Sequence, residues 1–97
     1  MKSRALIRVK GIVQGVGYRS WIARKAKALN LHGFVRNEPD GSVYIIVEGE
    51  RDSIEKLIKL CWEGPTLAKV NSVEVEWEEY KGEFKDFEVR YSIYELP

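Results

Sequence analysis

The first third of the chain contains a run in which the hydrophobic pattern changes: Ala5-Leu6-Ile7-Arg8-Val9-Lys10-Gly11-Ile12-Val13-Gln14-Gly15-Val16-Gly17-Tyr18-Arg19. Every second residue from position 5 to position 9 is apolar and small or branched, which predicts a half-buried strand over roughly 5–13. Gly15 and Gly17 interrupt that pattern. Apolar residues then recur at helical spacing, which predicts a helix over about 20–30. The run therefore predicts a strand, a glycine-rich loop and a helix.

The next segment has the pattern of a β-hairpin. Residues 33–37 are a short, mostly apolar run, and the tripeptide Pro39-Asp40-Gly41 is typical of a turn. Val43, Ile45 and Val47 then alternate with other residues. Two strands joined by a tight turn are therefore expected over 33–47.

The second half of the chain predicts another helix and two more strands. Asp52 and Glu55 have capping-box spacing at the start of an amphipathic stretch that stops at Gly64-Pro65. The apolar face of that helix contains Cys61, which we interpret as a core residue rather than a nucleophile. Period-2 alternation predicts one strand through Val73, Val75 and Trp77 and a final strand through Phe87, Val89, Tyr91 and Ile93.

The resulting order, β-α-β-β-α-β-β, predicts an α+β fold, a ferredoxin-like α/β sandwich. Two helices would cover one face of a mostly antiparallel sheet, and the additional C-terminal strand would extend that sheet. We expect a single domain over residues 1–97. Strands of one βαβ unit run parallel, so their carboxyl ends share an edge of the sheet. Asn37, the loop at 14–18 and the start of the first helix should therefore meet at one edge.

Composition excludes several classes of protein. Of the 97 residues, 44% are hydrophobic and 32% are charged, which is typical of a soluble globular domain. The longest apolar run, 43–47, is far shorter than the roughly 20 residues that a membrane helix needs. No apolar leader follows Met1, so we predict a cytoplasmic protein without membrane association. A single cysteine and a single histidine, His32, allow neither an intramolecular disulfide nor a multi-histidine metal site.

Charge is distributed unevenly along the chain. Residues 1–37 contain nine Lys or Arg and no acid, whereas residues 38–97 contain seven Lys or Arg and fifteen acids. A basic segment without acids favours an anionic partner, although the two halves could equally attract each other in the fold. The twelve Glu and nine Lys, against six Asn, Gln, Met and Cys together, also suggest adaptation to heat.

The candidate site is the loop that joins the first strand to the first helix: Gln14, Gly15, Val16, Gly17, Tyr18 and Arg19. Glycines let backbone N–H groups converge, and a helix start adds unpaired donors and positive potential. Arg19 adds a planar cation suited to phosphate oxygens. The loop matches neither a Walker sequence nor a dinucleotide fingerprint. On local chemistry alone, an anion cradle and a simple glycine turn followed by a solvated arginine are about equally supported.

The chain resembles the acylphosphatase family in two long motifs. The run Val9–Arg19 is similar to that family's first signature, and Gly33-Phe34-Val35-Arg36-Asn37 with Gly41, Val43 and Gly49 is similar to its second. The likeness continues through Gly64-Pro65, Ala68, Val70 and Asp86-Phe87. It departs from the family at Tyr18, where phenylalanine is usual, and at 92–97, which extend beyond the usual end.

The resemblance implies a ferredoxin-like fold and hydrolysis of acyl phosphates, such as acetyl phosphate, to a carboxylate and phosphate. It places the phosphate-binding arginine at Arg19 and the water-positioning asparagine at Asn37, with residues 14–19 as the phosphate-binding loop. No ligand cluster for Mg²⁺ or Zn²⁺ occurs near these residues in the sequence, so we expect no cofactor and no metal. Inorganic phosphate or sulfate is expected to bind as a product-like ligand. The chemistry is consistent, because a carboxylate is a good leaving group and phosphoryl transfer depends mainly on positioning and charge stabilisation.

Two alternative functions, which belong to other classes of protein, remain open. The first is a non-catalytic module that binds an anion or RNA, since the topology is shared with RNA-binding domains. However, no strand has the RNP1 pattern of aromatics, and the fifteen acids would repel a nucleic acid backbone. The second is a module that handles carbamoyl phosphate, because a similar domain occurs in hydrogenase-maturation carbamoyltransferases. Nucleic acid is thus an unlikely partner, and the sequence does not predict an oligomeric state.

Overall fold

The computed structural model describes residues 1–91, which form five strands and two helices. In chain order these are β1 (Lys2–Ile12), α1 (Tyr18–Ala28), β2 (His32–Asn37), β3 (Val43–Glu50), α2 (Arg51–Glu63), β4 (Lys69–Glu78) and β5 (Phe87–Arg90). The predicted order of elements is confirmed. The prediction that residues 92–97 extend beyond the usual end of the family lies outside the described residues, and the single domain over 1–97 stays a prediction.

The strands form one mixed sheet in the order β4-β1-β3-β2-β5. All neighbouring strands are antiparallel except β2 and β5, which are parallel. Both β1 and β2 are antiparallel to β3, so they run in the same direction on either side of it. This is the predicted ferredoxin-like sandwich with an additional C-terminal strand.

The hydrophobic core lies between the two helices and one face of the sheet. Period-2 alternation places three residues of β1 and three of β3 on that face, all fully buried: Ala5, Ile7, Val9, Val43, Ile45 and Val47. The helices contribute Ile22, Ala26, Ile54, Leu57 and Cys61. Cys61 is therefore a core residue, as expected, and burial raises the pKa of its thiol to about 12.

The start of α2 differs from the prediction. The helix begins at Arg51 directly after β3, with Glu50 as its N-cap, and no side chain caps it within residues 1–91. The capping box predicted for Asp52 and Glu55 is therefore wrong. Because the strand continues into the helix without a loop, Asp52 already lies in the first turn, where its charge favours the positive helix end. The Arg51 N–H donates instead to the Met1 carbonyl at 2.9 Å.

Other boundaries also differ by a few residues. Strand β1 spans Lys2–Ile12 rather than roughly 5–13. Helix α1 spans Tyr18–Ala28 rather than about 20–30, because Gly17 adopts φ 79° and lets the helix begin immediately after it. Strand β5 ends at Arg90, so Tyr91 lies beyond it, and Ile93 lies outside the described residues. Among residues 1–91, neither helix is long and apolar enough to cross a membrane.

Candidate active site

Four chain segments meet at one edge of the sheet. The loop at 13–17 leaves the end of β1, α1 begins at Tyr18, and β2 ends at Asn37. Because β5 is parallel to β2 with Arg90 opposite Arg36, its end reaches the same edge. The first three segments were predicted to meet there, whereas the contribution of β5 was not.

The loop before α1 presents backbone rather than side chains. Gly15 and Gly17 have φ values of 73° and 79°, which L side chains rarely adopt. A Cβ added at either position would meet no described atom within 4 Å, so the space beside both glycines is open. The first N–H groups of a helix have no partner within it, and α1 carries no acid in its first turn. The loop and helix start therefore form a positively polarised surface open to an anion.

A small pocket of about 110 Å³ occupies this edge. Its lining residues are Val13, Gly15, Gly17, Tyr18, Arg19, Ser20, Asn37, Val89 and Tyr91. None of these described residues is acidic, and two of them are the predicted catalytic residues Arg19 and Asn37. The pocket thus combines a cation, an amide and backbone donors in a volume suited to a small anion.

Arg19 lies in the first turn of α1 and contacts the end of β5. One terminal nitrogen, Nη1, donates to the carbonyl oxygen of Arg90 at 3.1 Å. The guanidinium carbon also lies over the ring of Tyr91, 4.6 Å from its centroid. These contacts place the guanidinium at the mouth of the pocket.

Asn37 is the last residue of β2 and is 8% exposed. It pairs with Val43 of β3, so its backbone is fixed by the sheet. The turn that follows is also well ordered, because the Asp40 carboxylate accepts bonds from the Ser42 N–H at 2.9 Å and the Ser42 hydroxyl at 2.6 Å. A rigid scaffold therefore holds the amide of Asn37 in the pocket wall.

Two members of the predicted loop lie outside the pocket lining. The Gln14 amide nitrogen donates to the carbonyl oxygens of Glu38 and Ser42 at 2.8 and 2.9 Å. Its side chain thus joins the loop to the β2–β3 turn instead of facing the pocket. Val16 packs against the hydrophobic core. Both residues shape the loop through contacts that point away from the pocket.

The side chain of Tyr18 points into the core, where it is 1% exposed. The extra hydroxyl, relative to phenylalanine, donates to the carbonyl oxygen of Cys61 at 2.7 Å. Burial raises the pKa of the phenol, so it stays protonated across the physiological range. Tyr18 therefore ties the start of α1 to α2.

Val13, Ser20, Val89 and Tyr91 line the pocket but were not predicted as site residues. For Val89 in β5 and for Tyr91 directly after it, a signal existed in the topology. A fifth strand added beside β2 in parallel brings its carboxyl end to the edge where Asn37 lies. The alternation at 87–93 predicted the strand but did not give its direction or neighbour.

Trp21 and His32 lie outside the pocket lining. Trp21 packs against the core with its ring 6.1 Å from that of Tyr18, so it is a packing residue. His32 is exposed at the start of β2, the opposite end from Asn37. No group of three or more His, Cys, Asp or Glu side chains within residues 1–91 is arranged to hold a metal ion.

Comparisons with known proteins show which family the chain resembles. The acylphosphatase family model matches residues 5–89. An acylphosphatase of Caldivirga maquilingensis is 56% identical over 89 residues, which cover 91% of this chain and 94% of that protein. The crystal structure of acylphosphatase from Bacillus subtilis superposes with a TM-score of 0.89 at 30% identity, covering 94% of this chain and 100% of its own.

A further similarity is to part of a larger protein. The crystal structure of T. kodakarensis HypF gives a TM-score of 0.80 at 35% identity, covering 95% of this chain but 12% of that one. The family match and the relatives of similar length extend over nearly all of the described residues. The chain therefore belongs to the acylphosphatase family, the hydrolases of acyl phosphates.

Proposed function

We propose that the phosphoryl group of the substrate binds between Arg19 and the backbone of residues 14–19. The observation that carries this proposal is the pocket itself, in which Arg19, two open glycines and a helix start surround one small volume. Backbone N–H groups at a helix start and an arginine fork are both strong partners for phosphate oxygens. The absence of acids among the described lining residues favours a multiply charged anion.

Asn37 positions the attacking water in this proposal. Its amide oxygen accepts a hydrogen bond from the water and holds it in line with the bond that breaks. An amide is not a strong base, so its contribution is orientation. The buried position of Asn37 at the end of a sheet strand supports this role, because a positioning group must itself be held in place.

The reaction needs no general acid. The water oxygen forms a bond to phosphorus while the bond between phosphorus and the carboxyl oxygen breaks. The electron pair of that bond goes to the carboxylate, which is stable unprotonated, and a water proton is lost to solvent or phosphate. Charge on the phosphoryl oxygens is stabilised by Arg19 and the backbone donors, which suits a loose transition state.

The proposed substrates are small acyl phosphates, with inorganic phosphate as product and sulfate as its analogue. A pocket of about 110 Å³ has room for the phosphoryl group, so the acyl part must extend toward the open mouth.

Release of phosphate from acetyl phosphate and benzoyl phosphate by the purified chain tests the proposal. We expect catalysed release of inorganic phosphate that inorganic phosphate and sulfate inhibit competitively. Trp62→Ala is a matched control, because this exposed side chain lies on α2 outside the pocket lining. Retention on single-stranded RNA with no release of phosphate would instead support the non-catalytic alternative.

A further inference from the structure

We propose that Tyr91 is a positioning residue for Arg19, which makes β5 part of the active site rather than a mere extension of the sheet. The inference rests on the proposed role of Arg19. It concerns how the arginine is held, and it assigns Tyr91 no contact with the reacting atoms.

The topology explains why Tyr91 reaches the pocket. In the parallel pair of β2 and β5, Arg36 lies opposite Arg90. The next residue on β2 is Asn37, and the next residue after β5 is Tyr91. The two therefore leave neighbouring strands at the same level, and both line the pocket.

Arg90 and Tyr91 each make one contact with the side chain of Arg19. The Arg90 carbonyl accepts a bond from Nη1, and N–H groups of a guanidinium lie in its plane. The Tyr91 ring faces the guanidinium carbon at 4.6 Å, within the range of cation–π attraction. The hydrogen bond holds one terminal nitrogen of the guanidinium, and the Tyr91 ring lies against its central carbon. Together they limit the rotation of a long, flexible side chain on the surface of α1.

Tyr91 itself is well suited to a role beyond packing. Its side chain is 64% exposed, so burial of its ring contributes little to the core. An exposed aromatic ring over a charged group in a polar pocket is better explained by the contact it makes with Arg19. Preorganising the guanidinium lowers the entropy lost when phosphate binds and when the transition state forms.

The test uses the full chain with Tyr91→Leu and Tyr91→Phe. Leucine keeps apolar bulk but has no π face, whereas phenylalanine keeps the face. Tyr80→Leu is the matched control, because Tyr80 is also exposed and lies under a lysine, Lys2, 5.3 Å from the ring centroid. The measurements are the phosphate dissociation constant by calorimetry, and kcat and KM for acetyl and benzoyl phosphate.

For Tyr91→Leu we expect phosphate affinity to fall by roughly 3- to 10-fold. We expect kcat/KM to fall by a similar factor for both substrates, with the melting temperature nearly unchanged. Tyr91→Phe should stay within about 2-fold of the wild type, as should Tyr80→Leu. The rescue by phenylalanine identifies the ring face as the group that acts.

Wild-type phosphate affinity in Tyr91→Leu would overturn the inference. A loss confined to benzoyl phosphate would also overturn it, because the ring would then contact the acyl group instead of positioning Arg19. A wild-type chain that binds phosphate but hydrolyses neither substrate would refute the proposed function, and the calorimetric comparison would still decide the role of Tyr91.

Discussion

Two arginines of this protein differ in the partners that the described residues give them. Arg4, near the start of β1, contacts three carboxylates: Glu48 at 3.2 Å, Glu78 at 3.1 Å and Glu83. Arg19, beyond the end of the same strand, contacts a carbonyl oxygen and an aromatic ring at the mouth of a pocket whose described lining contains no acid. Arg4 thus contacts three described carboxylates, whereas Arg19 lines a pocket in which we propose that a phosphate anion binds.

The Arg4 cluster also anchors the long connection between β4 and β5. The buried carboxylate of Glu48 accepts bonds from three successive N–H groups, of Lys81, Gly82 and Glu83, at 2.8, 3.2 and 3.1 Å. This anchor precedes β5, and β5 ends at Arg90, directly before Tyr91 in the pocket lining. The comparison teaches that an arginine paired with several carboxylates stabilises the fold, whereas an arginine in a pocket whose described lining contains no acid suits an anionic ligand.

The largest expected effect is the loss of activity in Arg19→Ala. If Arg19 holds the phosphoryl group, removing it should lower kcat/KM for benzoyl phosphate by roughly 10³-fold. Arg19→Lys should also have a low kcat/KM, because an ammonium group cannot reproduce the forked pair of guanidinium N–H donors. The melting temperature should change little, since the side chain lies outside the core.

The matched control for that variant is Arg4→Met. Removing the partner of buried Glu48 should lower the free energy of unfolding by about 3 kcal/mol in a denaturant titration, with kcat of the folded protein unchanged. The contrast would fail if Arg4→Met abolished turnover while folded, or if Arg19→Ala destabilised the chain as much as Arg4→Met.

A smaller effect is expected from pH acting on Glu48. Burial alone would raise its pKa, but the backbone N–H groups and Arg4 outweigh burial and hold the pKa below its ordinary value of 4.5. A lowered folded-state pKa stabilises the fold above the unfolded-state value and loses that contribution as pH falls through the folded-state value. The melting temperature should therefore decrease as the pH is lowered below about 4.5.

In Glu48→Gln we expect a lower melting temperature at pH 7 and a weaker dependence on acid, since the group that titrates is gone. Melting curves between pH 2 and pH 7 measure both. Equal acid dependence in the variant and the wild type would show that other carboxylates carry the effect.

Phosphate or sulfate should raise the melting temperature by a moderate amount. At about 100 times the dissociation constant, a ligand that binds only the folded chain stabilises it by about 2.7 kcal/mol, or roughly 10 °C for a chain of this size. The same concentration of chloride is the control for ionic strength. Arg19→Ala should lose most of this increase in melting temperature, and Arg4→Met should retain it. The reverse pattern would show that the anion binds at Arg4 instead of Arg19.

The smallest expected effect is that of removing divalent metals. The proposed chemistry draws its positive charge from Arg19 and backbone donors, so exhaustive chelation should leave the rate of benzoyl phosphate hydrolysis within about 2-fold. Loss of activity that Mg²⁺ restores would contradict this mechanism.

The sequence predicted much of the fold because its patterns are local. Alternation on β1 and the glycines at 15 and 17 are read within a few residues, and the βαβ rule then brings Asn37 to the same edge. Three features depend on distant contacts and were missed. Helix α2 starts without its predicted cap because β3 runs straight into it, Gln14 turns toward the β2–β3 turn, and β5 pairs in parallel with β2.

The most direct test of the central claim compares Arg19→Ala with Asn37→Ala for phosphate inhibition and for turnover of benzoyl phosphate. If Arg19 holds the phosphoryl group and Asn37 positions only the water, Arg19→Ala should lose both phosphate inhibition and turnover. Asn37→Ala should keep the phosphate inhibition constant within a few-fold of the wild type and lose turnover by roughly 10²-fold. Full turnover in folded Asn37→Ala, or loss of phosphate inhibition equal to that in Arg19→Ala, would contradict this division of roles.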